Sequence, residues 1–167
     1  MSLINSLVVL FCATVVSCRF QVPLRATDDL DLKVPGNNPL SFEHDPKDYT
    51  LQLHQLDLEP NPPAPGKPLR IQATGHLAKV VDKGSFVHVA VKWGIVTILT
   101  KDFDLCESAG AVDEECPFHE GFWNVSKTVD LPQQIPPGTY KVEMQAYTNE
   151  TMDEKIICMQ GDVSFTF

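Results

Sequence analysis

Apolar residues recur at every second position in one stretch of this chain after another, and that period constrains the fold more than any other feature. Leu69, Ile71 and Ala73 alternate with Arg70, Gln72 and Thr74, and Val87, Val89 and Val91 alternate with His88, Ala90 and Lys92. Val125, Lys127 and Val129 alternate with Asn124, Ser126 and Thr128, and Tyr140, Val142, Met144 and Ala146 alternate with Lys141, Glu143 and Gln145. Side chains of a strand point to opposite faces in turn, so each stretch reads as a strand with one buried face. No amphipathic helix, heptad run or repeat competes with this pattern. The expected architecture is all-β, an antiparallel sandwich of about seven strands.

Interruptions of the period are informative too. Leu51 and Leu53 are in phase, but the apolar phase then shifts to Leu56 and Leu58, as a bulge near Gln55 would produce. Asn61-Pro62-Pro63-Ala64-Pro65-Gly66 can continue neither helix nor ladder and must turn. Pro132, Pro136 and Pro137 mark a second connection before Gly138, and Ile156 to Phe165 supplies the last strand. Ile95 to Leu99 is apolar on both faces apart from Thr97, so a cover over its second side is expected.

The first residues speak to compartment. An apolar run from Leu7 to Val16 ends in Ser17 and Cys18, the shape of a secretory signal peptide, and it is short of the about 20 residues a bilayer span requires. Residues 1–18 are read as that leader, residues 19–37 as a polar tail or propeptide, and residues 38–167 as one domain. Secretion or delivery to a vacuolar or lysosome-like lumen follows from the leader. Without it the cysteines are Cys106, Cys116 and Cys158. The spacing of Cys106 and Cys116 suits a local disulfide in an oxidising compartment, whereas zinc with His119 would lack a fourth ligand. Cys158 is left over, and a monomer is expected.

A formal net charge of -9 disfavours nucleic acid, whose phosphates call for a basic face. In an acidic lumen carboxylates would begin to protonate and the five histidines would charge, which reduces the self-repulsion. No GxSxG elbow, HExxH pair or glycine-rich nucleotide loop is present, so no enzyme class is indicated. Asp102, Asp104, Glu107, Asp113, Glu114 and Glu115 fail the EF-hand spacing and read as a solvated acidic loop, with no metal and no cofactor. Asn124-Val125-Ser126 and Asn149-Glu150-Thr151 are glycosylation sequons, with Asn149 the better placed of the two acceptors.

Several ordered blocks resemble the ML-domain lipid-recognition family, and within it the fungal branch that transfers phosphatidylglycerol and phosphatidylinositol. They are NPLSF at Asn38 to Phe42, LDLEPNPPAPGKPLRIQATG at Leu56 to Gly75, DLC at Asp104 to Cys106 and VDEECP at Val112 to Pro117. LPQQIPPGTYKV at Leu131 to Val142, YTN at Tyr147 to Asn149 and IICMQGDVSF at Ile156 to Phe165 complete the match. The resemblance implies an immunoglobulin-like sandwich whose sheets part to leave an apolar cavity for one lipid. It implies a phospholipid partner, phosphatidylglycerol or phosphatidylinositol, or else a sterol as in the Niemann-Pick type C relatives, with transient membrane contact. The candidate cavity residues are Val89, Val91, Ile95, Ile98, Leu99, Phe118, Phe122, Met144 and Ala146, with Trp93 near the mouth; each also reads as ordinary core. The Cys106 to Cys116 loop, with Phe103 and Phe118 beside it, is expected to border that mouth. One departure stands out. The family places a cysteine after the NPLxF block and pairs it with the cysteine of the last strand, which matches Cys158, but here the partner position is Glu43.

Overall fold

The computed structural model describes residues 31–110 and 115–166. The leader expected over residues 1–18 lies outside them. Among the described residues eight strands form two antiparallel sheets: β1 (Leu40–Phe42), β2 (Leu51–Glu59), β3 (Pro68–Leu77), β4 (Phe86–Trp93), β5 (Val96–Asp104), β6 (Gly121–Asp130), β7 (Gly138–Tyr147) and β8 (Lys155–Phe165). The larger sheet has the order β1-β8-β7-β4-β5, and the smaller the order β2-β3-β6. The eighth strand, relative to the seven expected, is β1, whose three residues are too few to show a period. A five-residue helix, α1 (Leu105–Ala109), follows β5 because the Asp104 side chain accepts the Glu107 N–H at 2.8 Å and caps it.

Register turns the alternation into two inner faces that are apolar apart from Lys101 and Lys127. Val87, Val89, Val91 and Trp93 of β4 stand opposite Ala146, Met144, Val142 and Tyr140 of β7. In the smaller sheet Leu69, Ile71 and Ala73 of β3 stand opposite Val129, Lys127 and Val125 of β6. The phase shift in β2 is a bulge between Leu53 and Gln55, which returns Leu56 and Leu58 to the inner face opposite Ala73 and Ile71.

One lateral side of the sandwich is laced shut by the segment before β1. Val34 N–H donates to Leu40 O, while Leu56 N–H donates to Pro35 O and Leu58 N–H to Asn37 O, so the segment joins the β1 edge to the β2 edge. Buried Asn38 completes the join: its Nδ2 donates to Leu56 O at 2.8 Å and to Val34 O at 3.3 Å, and its Oδ1 accepts the Leu40 N–H at 2.9 Å. Gly36 makes the turn at φ +110, where a Cβ would strike Leu56 O. The tail expected up to residue 37 is therefore corrected over its last residues. Val34 is fully buried in the core cluster, and polar composition concealed it because a single valine shows no period.

The other lateral side lies between edge strands β5 and β6, which are hydrogen-bonded on one flank only. The cover expected over Ile95 to Leu99 is absent among the described residues: Val96, Ile98 and Leu99 are about half exposed, and Ile95, at the tip of the β4–β5 turn, is fully exposed. A both-sided apolar run here marks an exposed edge, not a strand buried on two faces.

Candidate functional site

The sheets enclose a cavity of about 680 Å³ whose lining is wholly apolar. Its floor is the smaller sheet, with Leu56, Ile71 and Val125 on successive strands, and its roof is the larger one, with Val91, Val142 and Met159. The size falls within the roughly 300–1,000 Å³ of small-molecule sites. A well-packed interior has few voids larger than one water, so a chamber of this size is a receptacle and not a packing defect.

Each end is closed differently. At one end Cys106 and Cys116 are joined by a disulfide with Cα atoms 5.3 Å apart, tying the end of β5 to the approach to β6. Val81 and Phe118 exchange backbone hydrogen bonds of 2.9 and 2.8 Å beneath it, and both side chains line the cavity. At the other end Trp93 stacks on Tyr140 at 6.2 Å, and Phe165 meets Tyr140 edge-on at 5.5 Å. Tyr140 Oη donates to Pro136 O at 2.8 Å, so its one polar atom is satisfied while its ring faces the chamber.

Of the candidate residues, Val91, Ile98, Leu99, Phe118, Met144 and Ala146 come together on the cavity wall. Val89 shares their register but not the wall, and Trp93 is half exposed beside Tyr140. Ile95 points into solvent, and Phe122, in the outward register of β6 opposite His76, is 73% exposed. Parity explains Phe122: in β6 the inner positions are odd-numbered, with Trp123 and Val125 on the wall. The wall residues of β2, β3 and β8, such as Leu56, Ile71 and Met159, were missing from the sequence candidates although they carry the same alternation. Sheet order, which a single strand does not encode, makes them lining. Among the described residues no group of three His, Cys, Asp or Glu side chains converges to hold a metal.

Behind the roof, on its outer face, Glu43 stands against Cys158. Glu43 N–H donates to Cys158 O at 3.1 Å, extending the β1–β8 ladder by one pair, and both Glu43 carboxylate oxygens accept from Gln145 Nε2 at 3.0 and 3.1 Å. Cys158 is fully buried and, among the described residues, free. Burial, and then the Glu43 carboxylate, push its thiol up to about 11, so it stays protonated and unreactive at neutral pH. Hydrogen bonds from Gln145 hold the Glu43 carboxylate on this outer face.

Two sheets, laced on one side and parted over an apolar chamber, define a cavity-bearing immunoglobulin-like sandwich as distinct from a solid-cored one. The family description "ML domain" matches residues 44–165, and the chain belongs to that family. It is 41% identical over 148 residues to the phosphatidylglycerol/phosphatidylinositol transfer protein of Pyricularia oryzae, covering 88% of this chain and 81% of that protein. It is 43% identical over 133 residues to the protein of the same name in Aspergillus fumigatus, covering 79% and 75%. Among solved structures, chicken MD-1 complexed with lipid IVa superposes with a TM-score of 0.51 at 15% identity, covering 78% of this chain and 94% of that one, a likeness of fold.

Proposed function

We propose that this protein is a monomeric lipid carrier that takes a single phospholipid, phosphatidylglycerol or phosphatidylinositol, into the cavity tail-first and exchanges it between membranes without a covalent step. The wholly apolar 680 Å³ chamber carries this reading. Each buried methylene contributes about 0.8 kcal/mol, so sheltering ten of them offsets about 8 kcal/mol of exposure to water. The names of the Pyricularia and Aspergillus relatives support this ligand class over a sterol. The residues select and shield; none is assigned a reaction.

The candidate contacts on the wall are Val91, Ile98, Leu99, Phe118, Met144 and Ala146. The leader-like first residues and the Cys106–Cys116 disulfide support a secretory lumen or the exterior as the working place. Asn124 and Asn149 are both exposed and suited to carry glycans there. An unchanged gel mobility after endoglycosidase treatment of the secreted protein would count against that. Native mass spectrometry of the purified protein, with extraction of what it carries, tests the main reading. One bound phospholipid per chain is expected. Ile71→Trp, which fills the chamber floor, is expected to lower phosphatidylglycerol transfer between vesicles at least tenfold while the strand signature in circular dichroism is kept. Unaltered transfer by a folded Ile71→Trp protein would remove the chamber from the mechanism.

A further inference from the structure

Among the described residues the inner registers of the two sheets hold only two charged side chains, and both are lysines. Lys101 stands opposite Val89 in β5, between inward Leu99 and Phe103. Lys127 stands opposite Ile71 in β6, between inward Val125 and Val129. The carboxylates of the same strands lie in the outward register: Asp102 pairs with His88 at 2.5 Å, and Asp130 is opposite Pro68. Such a distribution runs against the composition, since the chain has 22 acidic residues to 13 Lys and Arg. Directly opposed residues of an antiparallel pair share a face, so both lysine stems rise from the cavity side of their sheets.

Their strands are the two that flank the unlaced side. Lys101 is in the middle of β5, and Lys127 is past the middle of β6, so neither sits at the aromatic or the disulfide end. Among the described residues neither ammonium makes an ion pair, whereas Lys79, Lys92 and Lys141 all do. Lys101 Nζ lies 4.8 Å from the centroid of the Phe103 ring, its neighbour in the inner register of β5, a contact that holds the cation without neutralising it. A chamber with no polar lining shelters acyl chains but leaves a headgroup phosphate at its opening, where desolvated charge needs a partner.

We propose that Lys101 and Lys127 form a two-sided cationic rim across the β5–β6 opening that receives the phosphate of an anionic glycerophospholipid, and so select anionic over zwitterionic headgroups. This rests on the lipid-carrier reading above and adds headgroup selection to it. Charge-assisted hydrogen bonds to phosphate are about twice as strong as neutral ones, and a choline group would bring a like charge to the same lysines. The rim sits inside a field of net charge -9, so its attraction is local and screened by salt.

The test compares uptake by the full chain from vesicles of phosphatidylglycerol and of phosphatidylcholine. The expected result is a preference for phosphatidylglycerol of about tenfold. It should vanish in the K101M/K127M double variant, which keeps the apolar stems, and return in K101R/K127R. Inward charges on edge strands also deter edge-to-edge aggregation. A double variant that loses its monomeric sedimentation and takes up both lipids poorly would assign the lysines to that role and overturn the rim. So would a folded variant that keeps the preference. Inorganic phosphate should lower the phosphatidylglycerol preference more than chloride of equal ionic strength, because it competes for the same lysines; phosphate binding that K101M/K127M abolishes, together with equal wild-type uptake of both lipids, would assign the lysines to free phosphate and overturn the headgroup assignment. Wild-type protein that takes up neither lipid would overturn the carrier reading itself, a separate outcome from equal uptake of both, which overturns the rim alone.

Discussion

At the scale of single residues, Asn38 and Cys158 do work that their neighbours cannot share. Asn38 satisfies the carbonyls of Val34, Pro35 and Leu56 and the amide of Leu40 from one buried amide side chain. Asn38→Ala would remove all of these bonds, and although Pro35 O keeps the Leu56 N–H, leaving a buried group unsatisfied costs about 1–3 kcal/mol. A urea midpoint lowered by that loss divided by the unfolding slope is expected, with the slope itself unchanged. Cys158 should resist iodoacetamide in the native protein and react once unfolded. Glu43→Cys places a second cysteine in a directly opposed pair with Cys158, whose Cα spacing of about 5.5 Å suits a disulfide. The expected result is a reduction-sensitive mobility shift on a denaturing gel with Cys158 no longer titratable. Tyr49 adds a pH effect: burial pushes its hydroxyl up to about 12, while its oxygen accepts the His44 N–H at 3.0 Å. A group whose folded value is raised contributes stability that is complete below its unfolded value and is lost as pH rises toward the folded one. Stability should therefore decline from about pH 9, where unfolded Cys158 begins to ionise, to about pH 12 at Tyr49. Cys158→Val should flatten the lower part of that decline in thermal melts taken across the range.

At the scale of elements, alternation in β3, β4, β6 and β7 made the strands and their buried faces legible from residue order alone, and the phase shift in β2 disclosed its bulge. The cavity wall was legible in part. Val91, Leu99, Met144 and Ala146 follow from parity, but Ile95 and Phe122 were misplaced because an apolar run looks alike whether its strand is central or on an edge. That distinction belongs to sheet order, which arises from long-range pairing of β4 with β7 and of β3 with β6. Edge status also changes what an exposed apolar side chain means. Beside an open chamber, exposed Val96 and Ile98 form a contiguous apolar lip that single exposed residues elsewhere do not. The Cys106–Cys116 link belongs to this scale as well. Closing so short a loop stabilises by about 2–3 kcal/mol through the unfolded chain, so a Cys106→Ser/Cys116→Ser protein should melt several degrees lower. It should still bind lipid if the Val81–Phe118 bridge holds that end.

At the scale of the whole molecule, burial is uneven. The cluster that includes Val34, Phe42, Tyr49 and Cys158 is buried away from the chamber, while the strands on the other flank are half exposed beside it. The wall gives up dispersion contacts that a solid core would have, so the empty protein is less stable than its size would permit. A bound lipid restores those contacts and raises the melting temperature with ligand concentration. Raising phosphatidylglycerol well above its dissociation constant should shift the melt upward by several degrees, and a melt insensitive to lipid would show that the chamber stays unfilled. The lacing of Val34 to Asn38 across β1 and β2 carries a consequence of its own. It makes the molecule a book with a sewn spine and a free fore-edge, so any breathing that admits a bulky guest must be a one-sided parting of covers, and amides of β5 and β6 should exchange with deuterium well before those of β1 and β2.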